Sequence, residues 1–236
     1  MKAHTRRVSR ARSAPSNSEV LHAGLEPARE RLYSAYRRLW SRPDIGGLVL
    51  DFLVLMHQIV RASVPLMNAA RAEAIERRRN DRVQRMFARY LGKHIAEERH
   101  HDTWLIEDLE SAGLSREAVI ERLPSRMTAS LVGAQSYWIA HHDPVALLGY
   151  MRVLEGNPPS IAHIDRLQRQ SGLPVSAFRT YRMHGELDPN HRRELDLFVD
   201  SLPLTESQAA LILESASHTA STLAVCIAAL EPRVLV

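Results

Sequence analysis

Apolar side chains recur along most of the chain at intervals of three and four residues, which is the period of an α-helix. No segment of useful length alternates apolar and polar residues as a half-buried β-strand would. Prolines and a few glycines interrupt the helical pattern and mark the ends of the predicted elements. The pattern predicts helices over residues 27–40, 45–62, 64–79, 81–112, 115–123, 127–141, 144–156, 159–171, 175–185, 189–202 and 205–230.

These elements predict an all-α fold, a helical bundle of about eight to ten helices around one core. The chain has 236 residues, of which 45% are hydrophobic and 25% are charged, and this balance is typical of a globular protein. No internal repeat and no later linker divides the chain. We therefore expect a single helical domain over residues 21–236, preceded by a tail over residues 1–20.

The tail is strongly basic, because residues 1–18 contain five lysines and arginines and no acid. The net charge of the whole chain is +4, so the domain itself is close to neutral. The tail lacks the apolar segment of a secretory signal, and we predict a disordered extension, although an acid-free start rich in Arg and Ser also resembles an organellar transit peptide. The single cysteine, Cys226, excludes a disulfide framework and a cysteine-based metal site, and it favours a cytoplasmic location.

Charge and hydropathy also argue against two classes of partner. The arginines of residues 77–89 are interleaved with Glu73, Glu76 and Asp81, so we expect no specific nucleic-acid groove. The most apolar stretch, residues 46–67, is interrupted by Asp51 and Arg61, which predicts buried core helices and no membrane span.

The predicted helix over residues 81–112 carries the first candidate for chemistry. His94, Glu97, Glu98, His101 and Asp108 lie along one broad stripe, since residues three, four and seven apart share a helix face. The spacing of Glu98 and His101 allows one helix to offer a carboxylate and an imidazole to the same metal ion. Long surface helices also carry acids and histidines, so a solvated face is the alternative interpretation.

The second candidate is Glu155, which continues the apolar face formed by Leu148 and Met151. It stands at the predicted end of a helix, where the helix dipole disfavours an anion. A buried carboxylate at this position needs a compensating cation, which a metal ion or a neighbouring arginine would supply. An exposed glutamate at the end of a helix is the alternative.

The third candidate is the set His184, Asp188 and His191. If the chain is helical here, the three residues occupy positions i, i+4 and i+7 on one stripe, and two imidazoles with a carboxylate suit iron, manganese or zinc. Asp188-Pro189 is also a good helix start, with aspartate as the cap and proline in the first turn, and Gly185 supports a break. On that interpretation Asp188 caps a helix and does not bind a metal.

Together the three segments offer three carboxylates and three histidines, about what two iron ions require from a protein. The chain contains no Gly-x-Gly-x-x-Gly, P-loop or Gly-x-Ser-x-Gly motif. Over residues 45–230 it resembles the heme-oxygenase-like di-iron oxidases, or iron-containing redox enzymes, which are relatives of the TenA and PqqC proteins. The likeness is carried by Glu97-Glu98-Arg-His-His101-Asp102-Thr-Trp104-Leu-Ile-Glu-Asp108-Leu-Glu-Ser-Ala-Gly113, by Leu154-Glu155-Gly156 and by His184-x-x-x-Asp188-x-x-His191.

The resemblance implies a heme-oxygenase-like fold and a non-heme di-iron oxidase or oxygenase that acts on a small molecule. It implies two iron ions per chain, as Fe(II) and Fe(III), with O2 as co-substrate, an external electron donor and a homodimer. In related enzymes the chemistry is N-oxygenation of amines or oxidative cleavage of amino or fatty acids. The implied metal ligands in this chain are Glu98, His101, Glu155, His184, Asp188 and His191, with Glu97 and His94 as alternatives for the first carboxylate position.

Two other function classes compete with this interpretation. The first is a metal-free PqqC-like or TenA-like protein that binds a small molecule, or a scaffold with a degraded site, which the kink expected at Pro189 favours. TenA-type chemistry needs a cysteine nucleophile, whereas Cys226 lies in a very apolar helix where a buried thiol is usually inert. The second is a zinc hydrolase, which would bind zinc tightly and consume no O2.

Overall fold

The computed structural model describes residues 14–76, 80–156 and 158–231, with the side chains of residues 187–189 outside the description. Helix α1, Asn17–Trp40, begins at a capping box in which Ser16 and Glu19 bond each other's backbone N–H groups. The expected start at Pro27 is therefore wrong, because this proline sits inside the helix on its exposed side. The last four residues assigned to the tail belong to α1.

Helix α2, Ile45–Glu76, replaces the two helices predicted on either side of Pro65. Pro65 points to the exposed face of the helix, where the carbonyl group that loses its hydrogen bond can be solvated. The proline therefore does not end the helix, and the prediction of two elements is wrong. The predicted residues 77–79 lie outside the described residues.

The long helix predicted over residues 81–112 is two helices, α3, Arg82–Glu98, and α4, His101–Ser111. Arg99 is extended, with ψ of 133°, and His100 adopts the left-handed conformation with φ of 76°. Left-handed backbone is uncommon for a residue other than glycine, so the tertiary structure must hold this break in place. The break allows both helices to pack against α2.

The remaining helices agree closely with the predicted pattern up to residue 171. Ser115, Asp143 and Thr205 cap the starts of their helices through their side chains, and Thr205 forms a capping box with Gln208. The helices are α5, Arg116–Ile120, α6, Arg126–His141, α7, Leu147–Leu154, α8, Ile161–Ser171, α9, Arg179–Ser201, and α10, Glu206–Ala228, with short 3-10 turns at Pro144–Ala146 and Val175–Phe178.

Helix α9 is continuous, so the predicted interruption between residues 185 and 189 is wrong. Gly185 does not end a helix but allows close packing of two backbone segments. A Cβ atom on it would lie 2.8 Å from the carbonyl oxygen of Pro159, so glycine lets α9 approach the backbone before α8. His184 and His191 therefore belong to one helix, as the metal-ligand interpretation requires.

The helices form a bundle in which α2 contacts α3, α4, α6 and α8, while α10 contacts α1, α6 and α7. The described residues contain no β-strand, and the all-α prediction is confirmed. By length and composition, α2 and α10 could each span a membrane. In their most apolar windows, 61% and 56% of the residues are buried inside the protein, and buried core helices also meet this criterion.

Candidate metal centre

Three side chains from three helices converge on one point in the bundle. Glu98 is the last residue of α3, His101 is the first residue of α4, and His184 lies in the first half of α9. One potential ligand atom from each lies within 4.8 Å of the other two. A carboxylate oxygen and two imidazole nitrogens at this separation suit a divalent transition metal.

The break between α3 and α4 sets the relation of Glu98 to His101. These residues were expected to stack along one continuous helix, but they stand on either side of the left-handed residue His100. Their side chains still meet, with His101 Nδ1 at 2.9 Å from Glu98 Oε2. The imidazoles of His101 and His184 are edge to face, with ring centroids 4.9 Å apart.

The charge of Glu98 is stabilised by the histidines around it. Burial alone would raise its pKa, but His101, His184 and His94 outweigh burial and lower the pKa to about 2. Glu98 Oε1 is buried and makes no hydrogen bond to any residue that the structure describes, while Nδ1 of His101 contacts the other oxygen of the same carboxylate. Buried polar atoms are almost always bonded, so an ionised carboxylate with one unbonded oxygen beside two imidazoles fits a site for a metal cation.

A second cluster adjoins the first. His94 Nε2 lies 3.0 Å from Glu155 Oε1, and His191 Nδ1 lies 3.8 Å from Glu98 Oε1. The rings of His94 and His191 are 5.5 Å apart. Burial lowers the pKa of His94, but Glu155, Glu98 and Glu97 outweigh burial and raise it. Glu98 therefore lies between two groups of imidazoles.

The other predicted ligands have different surroundings. Glu97 is about one-third exposed, with Oε2 at 3.6 Å from His94 Nδ1 and Oε1 at 3.5 Å from Lys93 Nζ. It therefore lies on the solvent side of His94. The side chain of Asp188 is outside the described residues, although the helix that carries it is continuous.

The metal-site candidates border a cavity of about 590 Å³. Glu98, Glu155 and His184 form part of its wall, and most of the remaining wall is apolar or aromatic. This volume is within the range of small-molecule sites. The aromatic wall consists of Tyr33, Tyr36, Trp40, Phe52, Tyr150 and Tyr181.

Sequence reasoning did not identify several residues around this cavity. Tyr33, Tyr36 and Trp40 lie on one face of α1 at helical spacing, a signal that could have placed α1 in the wall. Tyr181 lines the cavity and packs edge to face on Phe52. Arg192 follows His191 directly and also lines the cavity, and its sequence position alone did not distinguish it from a surface residue.

Cys226 lies in α10 and is absent from the described wall of this cavity. Burial raises the pKa of its thiol above the ordinary value, with smaller opposing contributions from Thr128 and Ser125. A buried, protonated thiol is a poor nucleophile. The site therefore gives no support to cysteine-based chemistry.

A family model described as iron-containing redox enzyme matches residues 52–223. The fold is similar to a heme oxygenase-like domain of unknown function from Shewanella denitrificans OS217, with a TM-score of 0.65, 14% identity and coverage of 89% of this chain and 87% of that one. A TenA homologue from Pseudomonas syringae pv. tomato DC3000 gives a TM-score of 0.66 at 11% identity, covering 92% of this chain and 96% of that one. A search of curated proteins finds no match. At these identities the solved structures establish the heme oxygenase-like fold.

Proposed function

Because the chain belongs to the iron-containing redox enzyme family, we propose that it is a non-heme di-iron oxidase or oxygenase that uses O2 to oxidise a small molecule. The observation that carries the proposal is the convergence of Glu98, His101 and His184 beside a cavity of about 590 Å³. The family accounts for the iron, and the cavity accounts for a small-molecule substrate.

The protein ligands proposed for the first iron are Glu98, His101 and His184. Glu155 and His191 are proposed for the second, with Asp188 from the same stripe of α9. Iron held by these carboxylates and imidazoles would supply the redox chemistry with O2. His94 holds the Glu155 carboxylate through their contact of 3.0 Å, and Glu97 lies behind His94. Contacts of this kind orient ligands and tune their basicity.

The chain's own residues also prepare the site for the substrate. The aromatic wall gives the cavity an apolar surface, which favours an apolar part of a substrate over water. Glu98 is held in its charged form by the imidazoles around it, since its pKa is about 2. It is therefore ready to bind a cation at neutral pH.

Anaerobic loading with Fe(II), followed by metal analysis and oxygen uptake, tests the proposal. We expect about two iron ions per chain and iron-dependent consumption of O2 in the presence of candidate amines, amino acids and fatty acids. His184→Ala should lose iron, while His141→Ala, which removes an exposed histidine, should retain it. A chain that binds zinc tightly and consumes no O2 would instead be a hydrolase.

A metal-free small-molecule-binding protein is the second candidate function. The observation in its favour is the hydrogen bond between His94 and Glu155, which pairs two of the ionisable groups without a metal. This candidate predicts no iron uptake, and equal ligand binding by the unmodified chain and by His184→Ala.

The oxidase proposal includes an external electron donor, since full reduction of O2 takes more electrons than a two-electron oxidation of substrate releases. We also propose a cytoplasmic homodimer that needs neither a membrane nor nucleic acid. Light scattering during size-exclusion chromatography tests the dimer, and activity supported by added reductants tests the donor.

A further inference from the structure

Arg192 is the single lysine or arginine in the described wall of the large cavity. It follows His191 in α9, so it stands close to the candidate metal centre. Together with Tyr33 and Gly156, it also borders a much smaller cavity that is lined by Arg29 and Arg152. Arg192 therefore connects the large cavity with a group of cations behind its wall.

The other cations in this region already have partners. Arg152 is buried, with Nε at 3.1 Å from Asp196 Oδ1, and Arg29 pairs with Glu26. Arg37 and Arg166 line a neighbouring pocket that shares Tyr36 and Trp40 with the large cavity. Arg37 pairs with Glu30, and Arg166 Nη2 lies 3.0 Å from His163 Nδ1. Arg192 makes no hydrogen bond or ion pair with any residue that the structure describes.

The charges around Arg192 favour an anion in the cavity. Burial lowers the pKa of Arg152, Asp196 opposes this effect, and the cations of Arg192 and Arg29 lower it further. Arg192 and Arg29 therefore each repel Arg152, and Asp196 is already engaged by Arg152 and His22. Arg192 is partly open to solvent, and an anion beside it would relieve this repulsion and accept two parallel hydrogen bonds from its planar guanidinium.

The body of the ligand must suit a wall rich in aromatic rings. Four of the six tyrosines in the chain line the cavity, together with Trp40 and Phe52. Trp40 and Phe52 are edge to face at 4.8 Å, and Phe52 and Tyr181 are edge to face at 5.7 Å. Surfaces of this kind stack favourably on an aromatic ligand.

We propose that the cavity selects an aromatic carboxylic acid, with the ring against Tyr36, Trp40 and Phe52 and the carboxylate on Arg192. The inference names the substrate class of the proposed oxidase and therefore rests on that function. Arg192, which would determine the specificity, is not a metal ligand, so binding of the acid and binding of iron can be measured separately.

The test measures binding of three matched probes to the metal-free full-length chain, because a metal ion would itself attract a carboxylate. The probes are 4-phenylbutanoate, 4-phenylbutan-1-ol and 4-phenylbutylamine, and isothermal titration calorimetry, supported by changes in tryptophan fluorescence, reports binding. We expect the carboxylate to bind about tenfold or more tightly than the alcohol and the amine, as an ionic hydrogen bond allows. Arg192→Gln should remove this preference and leave binding of the alcohol unchanged.

Arg193→Gln is the matched control, because Arg193 is the adjacent arginine and is exposed like Arg192, but it is absent from the described cavity wall. It should keep the preference for the carboxylate. The inference would be overturned if the three probes bind equally or if the amine binds most tightly. It would also be overturned if both variants lose the preference for the carboxylate to the same extent. Iron content of the same variants separates the two proposals, since uptake of two irons without a carboxylate preference overturns only the inference about Arg192.

Discussion

The Asp108 carboxylate of α4 accepts a hydrogen bond of 2.7 Å from the backbone N–H of Thr180 in the first turn of α9. Its other oxygen lies 3.2 Å from Nη2 of Arg179. Asp108 thus caps a helix that is not its own, where the helix dipole favours an anion. Because α4 begins with His101 and α9 carries His184, this contact fixes the relative position of two candidate ligands.

Replacing Asp108 with alanine should therefore affect both stability and iron binding. We expect the free energy of unfolding to fall by about 1–3 kcal/mol, because the N–H of Thr180 loses its buried acceptor. Affinity for Fe(II) should fall by about tenfold or more, as for other residues that position ligands. Urea titration and a competition assay with a chelator measure the two effects. Glu110→Ala, which removes an exposed acid on the same helix, should leave both nearly unchanged.

The residues of the candidate site were easier to predict from the sequence than the ends of the helices. The spacing of Glu98 and His101 indicated a shared metal site, and the two residues do meet, although a left-handed residue separates their helices. Nothing in Arg99-His100 signals that break, because neither residue is glycine or proline and the conformation depends on packing against α2. At Pro65 the opposite happened, because the sequence predicted a break where the helix is continuous. A proline on an exposed helix face can be tolerated. The cavity wall from α1 was missed because tertiary contacts decide which aromatic residues surround a void.

Replacing two helical glycines, one at a time, with alanine should change the stability of the protein in opposite directions. A Cβ atom on Gly149 would lie 2.6 Å from the backbone nitrogen of Ala216, and closer still to the carbonyl oxygen of Ile212. Gly149→Ala should push α7 from α10 and destabilise the protein by about 1–3 kcal/mol, as overpacking does.

Gly133 is exposed in α6, and a Cβ atom there meets no atom within 4 Å. Gly133→Ala should stabilise the protein by about 0.5–1 kcal/mol through helix propensity. Thermal and urea unfolding of both variants measure the difference. A stabilising Gly149→Ala would contradict the close approach of α7 and α10.

His57 should make stability depend on pH. It is 1% exposed in α2, and burial, with a smaller contribution from Arg61, lowers its pKa from 6.5 to about 4. The unfolded chain then binds more protons than the folded chain between these values. The contribution of neutral His57 to the free energy of unfolding is fully present above pH 6.5. As the pH falls from 6.5 to about 4, the free energy of unfolding decreases by about 3 kcal/mol.

His57→Gln isolates this contribution, because the other titrating groups remain. Between pH 7 and pH 4, the unmodified chain should lose about 3 kcal/mol more unfolding free energy than the variant loses. Urea titrations at closely spaced pH values measure it. A constant difference across that range would show that His57 does not titrate as described.

Cys226 should be inert towards thiol reagents in the native protein. It is 5% exposed, and its sulfur lies 3.9 Å from the hydroxyl oxygen of Thr128. Burial and a raised pKa both reduce the thiolate fraction. Ellman's reagent should react with about one thiol per chain in urea and much more slowly without it. Fast native labelling accelerated by a cavity ligand would instead indicate a cysteine within reach of substrate.

The contact between His94 and Glu155 should decide how firmly the second iron is held. His94→Ala removes the group 3.0 Å from Glu155 Oε1 and leaves a buried carboxylate with less support. His94→Gln places an amide donor at the same position. On the two-iron proposal, His94→Ala should retain the iron bound by Glu98, His101 and His184 but bind the second about tenfold or more weakly. His94→Gln should restore part of that affinity if His94 acts by hydrogen bonding, whereas direct ligation by His94 predicts equal losses in both variants. Stepwise Fe(II) titration under anaerobic conditions, with Mössbauer spectra at one and two equivalents, distinguishes these outcomes without relying on activity.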